Sequence, residues 1–457
     1  MSVGRFNLAY NTANRQEIFA SINASGRGCE MKTRIPANKR PGSDVRRWML
    51  IFLTVSLLNT FSAAQSAGKV SATDRMMTAS KIYHQISTFF PDLQPQNFDQ
   101  HYREYLNLVL NASDDRRDFD LASMALVASL HDGHSWFYDK WLDQTYGRPV
   151  GFTAYPLRQE WTVTRSSLAS VKVGDVIVAI DGTPTQQYFE RSRKYISASS
   201  DRDAGVSFFD TPVVFPLRFT MTLDGGRQVT VDREHDQKQD LPAKTEGRWL
   251  VSESVGYIKV PTFHGIETQA AALQYLKQFH EANTVILDVR GNPGLGSGVP
   301  LQRSLMDKPY PMWSESSSMN GGFLLREYDI AYPDVSHVMT SEATIRPGDP
   351  AYTGKLILLV DRGCTCACED FVMPFKVTRR AQLVGETTAG SFSFTNFTQF
   401  DNGMMLNIAS VRHTFPDGSR FEGIGIAPDV EIQPTAQDLK AGRDLVLEKA
   451  AEIAKHH

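Results

Sequence analysis

Apolar residues recur at helical spacing across residues 78–136. They fall at Ile82, Ile86, Phe89 and Phe90, at Tyr105, Leu106, Leu108 and Leu110, and at Phe119, Leu121, Met124, Leu126, Val127 and Leu130. Three- and four-residue steps place such positions on one face of a helix. Pro91 and the polar stretch 111–117 interrupt the pattern, so it predicts three helices in an N-terminal domain over 70–145. The last helix runs into Asp132-Gly133-His134-Ser135, where Gly133 marks its end and leaves His134 on a tight loop.

Past Pro149 the pattern shifts to short β-like runs, which predicts a β-rich domain over 150–245. Its clearest part runs from Val171 through Gly174-Asp175 to Ile180-Asp181-Gly182. This turn, strand and second turn resemble a segment of a PDZ domain, a module that takes up extended peptides by strand addition. Asp224-Gly225-Gly226 follows strand 217–223 as a hairpin turn.

The pattern over 246–457 alternates strand and helix: strand 255–260, helix 268–282, strand 284–290, then a glycine-rich loop over 291–298. That loop opens a helix and has the composition of an anion cradle. It lacks both the Gly-Lys-Ser/Thr ending of a phosphate loop and dinucleotide spacing, which argues against a nucleotide site. Residues 309–350 read as an irregular excursion over the active face. Strand 355–361 then leads through a small-residue turn into a helix, which Pro374 is expected to break or kink. Short strands follow over 384–409, and a final helix over 438–455.

Composition adds an address. With 457 residues, 41% apolar, 22% charged and a formal charge of -3, the chain is long enough for two or three domains and has no global charge that attracts nucleic acid. Arg46-Arg47, the apolar run 48–58 and Ser62-Ala63-Ala64 form the three regions of a secretory signal cleaved near Ala64. The run is too short to span a bilayer comfortably, so no stable membrane anchor is expected after cleavage. Residues 1–30 are odd ahead of a signal, and a start at Met31 would give a basic leader; a disordered leader is the alternative. Leader and signal together occupy 1–64, and export would remove Cys29 with them.

The remaining cysteines are Cys364, Cys366 and Cys368, an odd count with no spread, so a structural disulfide framework is not expected. They lie where a strand turns into a helix. A side chain there projects from the sheet edge, beside amides and a partial positive charge that stabilise a thiolate or an oxyanion. Cys364 and Cys368 read as packing neighbours; any two of the three could also oxidise together, although a bridge across so few residues is strained.

From about Thr78 to the C-terminus the chain resembles the C-terminal-processing (tail-specific) protease superfamily, on its tricorn-like branch. The matching residues are Leu287-Asp288-Val289-Arg290-Gly291-Asn292-Pro293-Gly294, Cys364 to Glu369, Gly385-Glu386-Thr387-Thr388-Ala389-Gly390, and Gly423-Ile424-Gly425-Ile426-Ala427-Pro428-Asp429. The resemblance implies an α/β (α+β) fold: a helical cap, a PDZ-like module and a catalytic domain over 246–457 with a crotonase/ClpP-like β-β-α core. The family's nucleophilic serine falls on Cys366, three residues before Glu369. A lysine that some members use as base falls on Ser391, so the base is expected to come from the cap, at His134. By the same resemblance Glu422 holds the imidazole, and the amides of Gly294 and Ala367 form the oxyanion hole.

These residues have plainer readings too. Cys366 packs like a small hydrophobe in a tight turn. His134 caps a helix, or pairs with His131 as a metal ligand, though a third ligand is missing. Glu422 is a solvated strand residue, and Glu369 and Asp370 favour a helix dipole. The leading expectation is an exported, periplasmic or secreted peptidase. It cleaves peptides or unfolded proteins by Cys-His-Glu acyl-enzyme chemistry and needs no cofactor. The alternatives are a catalytically silent protein of the same fold that binds peptides or apolar ligands, and a thiol-redox or metal-trapping protein.

Overall fold

The computed structural model describes residues 68–455, apart from 92, 94–96, 112–113, 236–243, 252–253, 321–335 and 349–351. The expected leader, signal and Cys29 lie outside the described residues. No described helix is long and apolar enough to cross a membrane.

A six-stranded sheet organises the C-terminal half. Its order is Val430–Glu431, Gln382–Gly385, Lys355–Val360, Thr284–Asp288, Val255–Lys259 and Glu246–Val251. The first five are parallel and the last is antiparallel. Alternate residues of each central strand enter different cores, as the two-residue period requires. Val285, Leu287, Leu356, Leu358 and Val360 pack with helices Ile266–Gln278 and Ala367–Thr378. Ile286, Ile357 and Leu359 face Val446, Ala450 and Ala454 of helix Leu445–Lys455. Covered on both faces, these strands are apolar throughout rather than alternating.

Helices Ala72–Phe89, Phe98–Asn111 and Arg116–Ala128 make the N-terminal unit, on Ile82, Ile86, Tyr105, Phe119, Leu126 and Val127. That core also takes in Phe400, Met404, Leu406 and Ile408, far along the chain. Strand Trp136–Asp139 fixes the junction by pairing antiparallel with Met404–Ala409. His134 is therefore carried on a loop anchored to the C-terminal half. The middle region holds a two-stranded sheet, Phe152–Leu157 with Glu160–Ser166, and a four-stranded sheet around Ile177–Ile180 and Arg218–Leu223.

Three expectations are corrected. Residues 309–350 are not irregular throughout: Tyr310–Asn320 and Ser336–Ile345 form a long antiparallel pair. The terminal helix is two helices, Ala436–Lys440 and Leu445–Lys455, separated where Gly442 takes φ 68°. Helix Ala367–Thr378 is not broken at Pro374. Proline leaves the carbonyl four residues back without its amide, and here that Asp370 carbonyl accepts from Gln302 Nε2 at 3.2 Å.

Candidate active site

Cys366 stands immediately before helix Ala367–Thr378, with φ 57° and ψ -126°. A non-glycine residue held at such angles costs about 1–3 kcal/mol and persists only where its surroundings fix it. Cys366 N donates to Ser391 O at 2.9 Å, and Cys366 O accepts from Glu369 N at 2.9 Å and Asp370 N at 3.1 Å. Cys364 and Cys368, expected as mere neighbours, are joined in a disulfide with Cα atoms 5.4 Å apart. The chain turns into the helix between them, bringing positions four apart within reach of a bridge. Cys366 is a free, half-exposed thiol.

His134 meets this turn. Its amide donates to Asp132 Oδ1 at 2.9 Å and its carbonyl accepts from Asn407 Nδ2 at 2.8 Å, so the backbone is held from both sides. Nδ1 lies 3.2 Å from Ser391 Oγ. Burial disfavours a charged ring, but the neighbouring Cys366 side chain, with Asp132 and Glu422, outweighs this and pushes His134 up to about 10. The sulfur from the C-terminal half and the imidazole from the helical unit are thus brought together.

Glu422 is close enough to act on the ring by its charge. Its hydrogen bonds go elsewhere: Oε1 accepts from the Ser199 hydroxyl, and Oε2 lies 3.4 Å from Phe392 N. Ser199 belongs to the middle region and also accepts from Gly133 N at 2.9 Å. Burial, reinforced by the charge of Asp132, lifts the Glu422 carboxyl well above its usual range.

The two amides named for the oxyanion adjoin, because a Cβ built on Gly294 would lie 2.6 Å from Ala367 N. Ala367 N–H is the first amide of its helix and has no partner within it. Gly294 N–H donates to Asn292 Oδ1 at 2.8 Å. One of the two donors is therefore committed internally.

Sequence reasoning missed the supporting groups. Glu369, expected only to favour the helix dipole, is fully buried. It accepts from the Thr388 hydroxyl, from Gly390 N at 2.7 Å and from Ser391 N at 2.8 Å. Burial pushes it up to about 7. A carboxylate three residues after a candidate nucleophile was the available signal. For Ser199 and Asp203, which accepts from Ser199 N at 2.9 Å, the sequence carried none.

A strand–turn–helix with a thiol at the turn, an imidazole against it and a helix amide beside it defines a hydrolase-like site on an α/β fold. The model of peptidase family S41 matches residues 254–432. The carboxyl-terminal-processing protease of Synechocystis sp. is 24% identical over 270 residues, 58% of this chain and 56% of that one. The chloroplastic C-terminal processing peptidase of Tetradesmus obliquus is 25% identical over 279 residues, 58% and 54%. Residues 254–432 thus resemble an S41 peptidase domain and the chain is similar to C-terminal-processing proteases, though it spans little more than half the length of these relatives. Among solved structures, mature CPAF complexed with lactacystin superposes with a TM-score of 0.63 at 14% identity, over 84% of this chain and 98% of that one. The photosystem II D1 C-terminal processing protease gives 0.50 at 18%, over 80% and 94%. These two likenesses establish the fold.

Proposed function

We propose that the protein is an exported peptidase of the tricorn-like branch, cleaving peptides or unfolded proteins through Cys366. His134, charged beside the sulfur, already holds the proton drawn from the thiol; the thiolate attacks the peptide carbonyl and the imidazolium passes that proton to the leaving amine, after which water hydrolyses the thioester. Ala367 N–H stabilises the tetrahedral oxyanion, and Gly294 N–H joins it once turned from Asn292. Glu422, when ionised, favours the imidazolium, and the PDZ-like middle region holds extended substrate. The observation that carries this reading is that Ser391 holds both groups, its carbonyl accepting the Cys366 amide at 2.9 Å and its hydroxyl lying 3.2 Å from His134 Nδ1, which sets thiol and ring side by side.

The test is cleavage of denatured casein by purified protein. Cys366→Ala or prior alkylation should remove turnover by about 10³-fold or more; cleavage that survives either rejects the mechanism. One observation favours a second reading, a binding protein of the same fold without turnover: the Gly294 amide is already satisfied by Asn292. Casein that binds without being cut under reducing conditions would support it.

A further inference from the structure

One residue touches the nucleophile, the base and the buried carboxylate together. Ser391 is 2% exposed, and all three of its polar groups are used. Its carbonyl accepts the Cys366 amide at 2.9 Å and the Thr365 hydroxyl at 3.2 Å. Its amide donates to Glu369 Oε2 at 2.8 Å, and its hydroxyl lies 3.2 Å from His134 Nδ1. The nitrogen that a carboxylate would hold in a triad is engaged by a serine, while Glu422 bonds to Ser199.

We propose that Ser391 is the positioning residue of this site, setting the His134 ring against Cys366 through Nδ1. This rests on the peptidase reading for its consequence but not for its geometry. In a charged imidazole both ring nitrogens carry protons, so Nδ1–H donates to Ser391 Oγ and leaves Nε2 toward the sulfur. Glu369 fixes the amide of Ser391, and Cys366 fixes its carbonyl, so the hydroxyl is aimed by the loop that also holds the nucleophile turn. The position needs space opposite: a Cβ built on Gly133 would lie 2.4 Å from Ser391 Oγ. Gly133 does not end the helix as expected, because that helix stops at Ala128; its role is to leave room for the hydroxyl to reach the ring.

The test uses the full chain and two readouts. The first is the rate of Cys366 alkylation by iodoacetamide between pH 5 and 9, followed on the tryptic peptide spanning residues 363–376. Ser391→Ala removes one oxygen and keeps the backbone bonds. Without an acceptor at Nδ1 the imidazolium is less stabilised, so the pH of half-maximal alkylation should rise by about 0.5–1 unit, the equivalent of one hydrogen bond. Thr365→Val also removes a hydrogen bond to Ser391 but none to His134, and should keep the wild-type midpoint even if it melts earlier. The second readout is casein cleavage, where Ser391→Ala should lower kcat about tenfold with KM within about twofold.

An unmoved alkylation midpoint in Ser391→Ala, or an equal shift in Thr365→Val, overturns the proposal. If the midpoint shifts as stated while even the wild type never cuts casein, Ser391 positions the ring and the peptidase reading falls instead.

Discussion

Ser199, from the middle region, donates its hydroxyl to Glu422 near the C-terminus, a bond that spans 223 positions of the chain. The carboxylate assigned to the imidazole is thereby tied to the module that is proposed to hold substrate. Ser199→Ala should leave a buried carboxyl one donor short and lower stability by about 1–3 kcal/mol. Urea unfolding should show a lower midpoint with an unchanged slope, and casein turnover should fall. Full activity and an unchanged midpoint would make the bond incidental.

Gly133→Ala should be disproportionately harmful for the addition of one methyl group. The new Cβ would fall 2.4 Å from Ser391 Oγ and 2.9 Å from Asp203 Oδ2, so the loop must move. Overpacking of this kind costs about 1–3 kcal/mol. A displacement of the ring by about 1 Å lowers turnover by about 10²-fold. Comparing kcat with the thermal midpoint separates the two effects.

The pH dependence of stability has a definite sign. Glu369 rises from 4.5 to about 7 on folding because it is buried, so the folded state holds its proton more tightly. Stability contributed this way is present below pH 4.5 and lost as pH rises to about 7. His134, raised from 6.5 to about 10 against the cost of burial, adds stability that is complete below 6.5 and lost as pH climbs through 10. Urea midpoints should fall from pH 5 to 7 and again from 7 to 9. Glu369→Gln should lessen the first decline, to which buried Asp203, Asp210, Asp361 and Asp370, each raised to about 6, also contribute, and His134→Gln should lessen the second; variants that keep both slopes would contradict the assignment.

The disulfide predicts a simple mass result. After native alkylation and digestion without reduction, the peptide spanning residues 363–376 should carry one alkyl group, on Cys366, and lack two hydrogens. Replacing Cys364 and Cys368 together by alanine should cost about 2 kcal/mol, the entropy of a five-residue loop. Three alkyl groups on the native peptide would show that the bridge does not form.

The parts legible in the sequence were those written locally. The unbroken apolar strand ahead of Cys366 and the helical spacing around Phe119 and Leu126 follow from periodicity, since each residue's neighbours set its face. The turn at Cys366 was visible because strand, small residues and helix adjoin in sequence. What could not be read depends on residues far apart. Pro374 looked like a break because its compensation comes from Gln302, 72 positions away. Glu369 looked like a surface dipole partner because Thr388, Gly390 and Ser391 reach it only once the chain has folded. The helical unit's core likewise borrows Phe400 and Met404, which no local pattern announces.

The pairing of His134 with a loop 257 positions later also bears on how the protein matures. Contacts so remote require closing most of the chain before they return any stabilisation, which makes them late events. During refolding, helix and sheet content should therefore recover ahead of Cys366 reactivity. The newly made chain would pass through a stage that is shaped but not yet reactive at that sulfur.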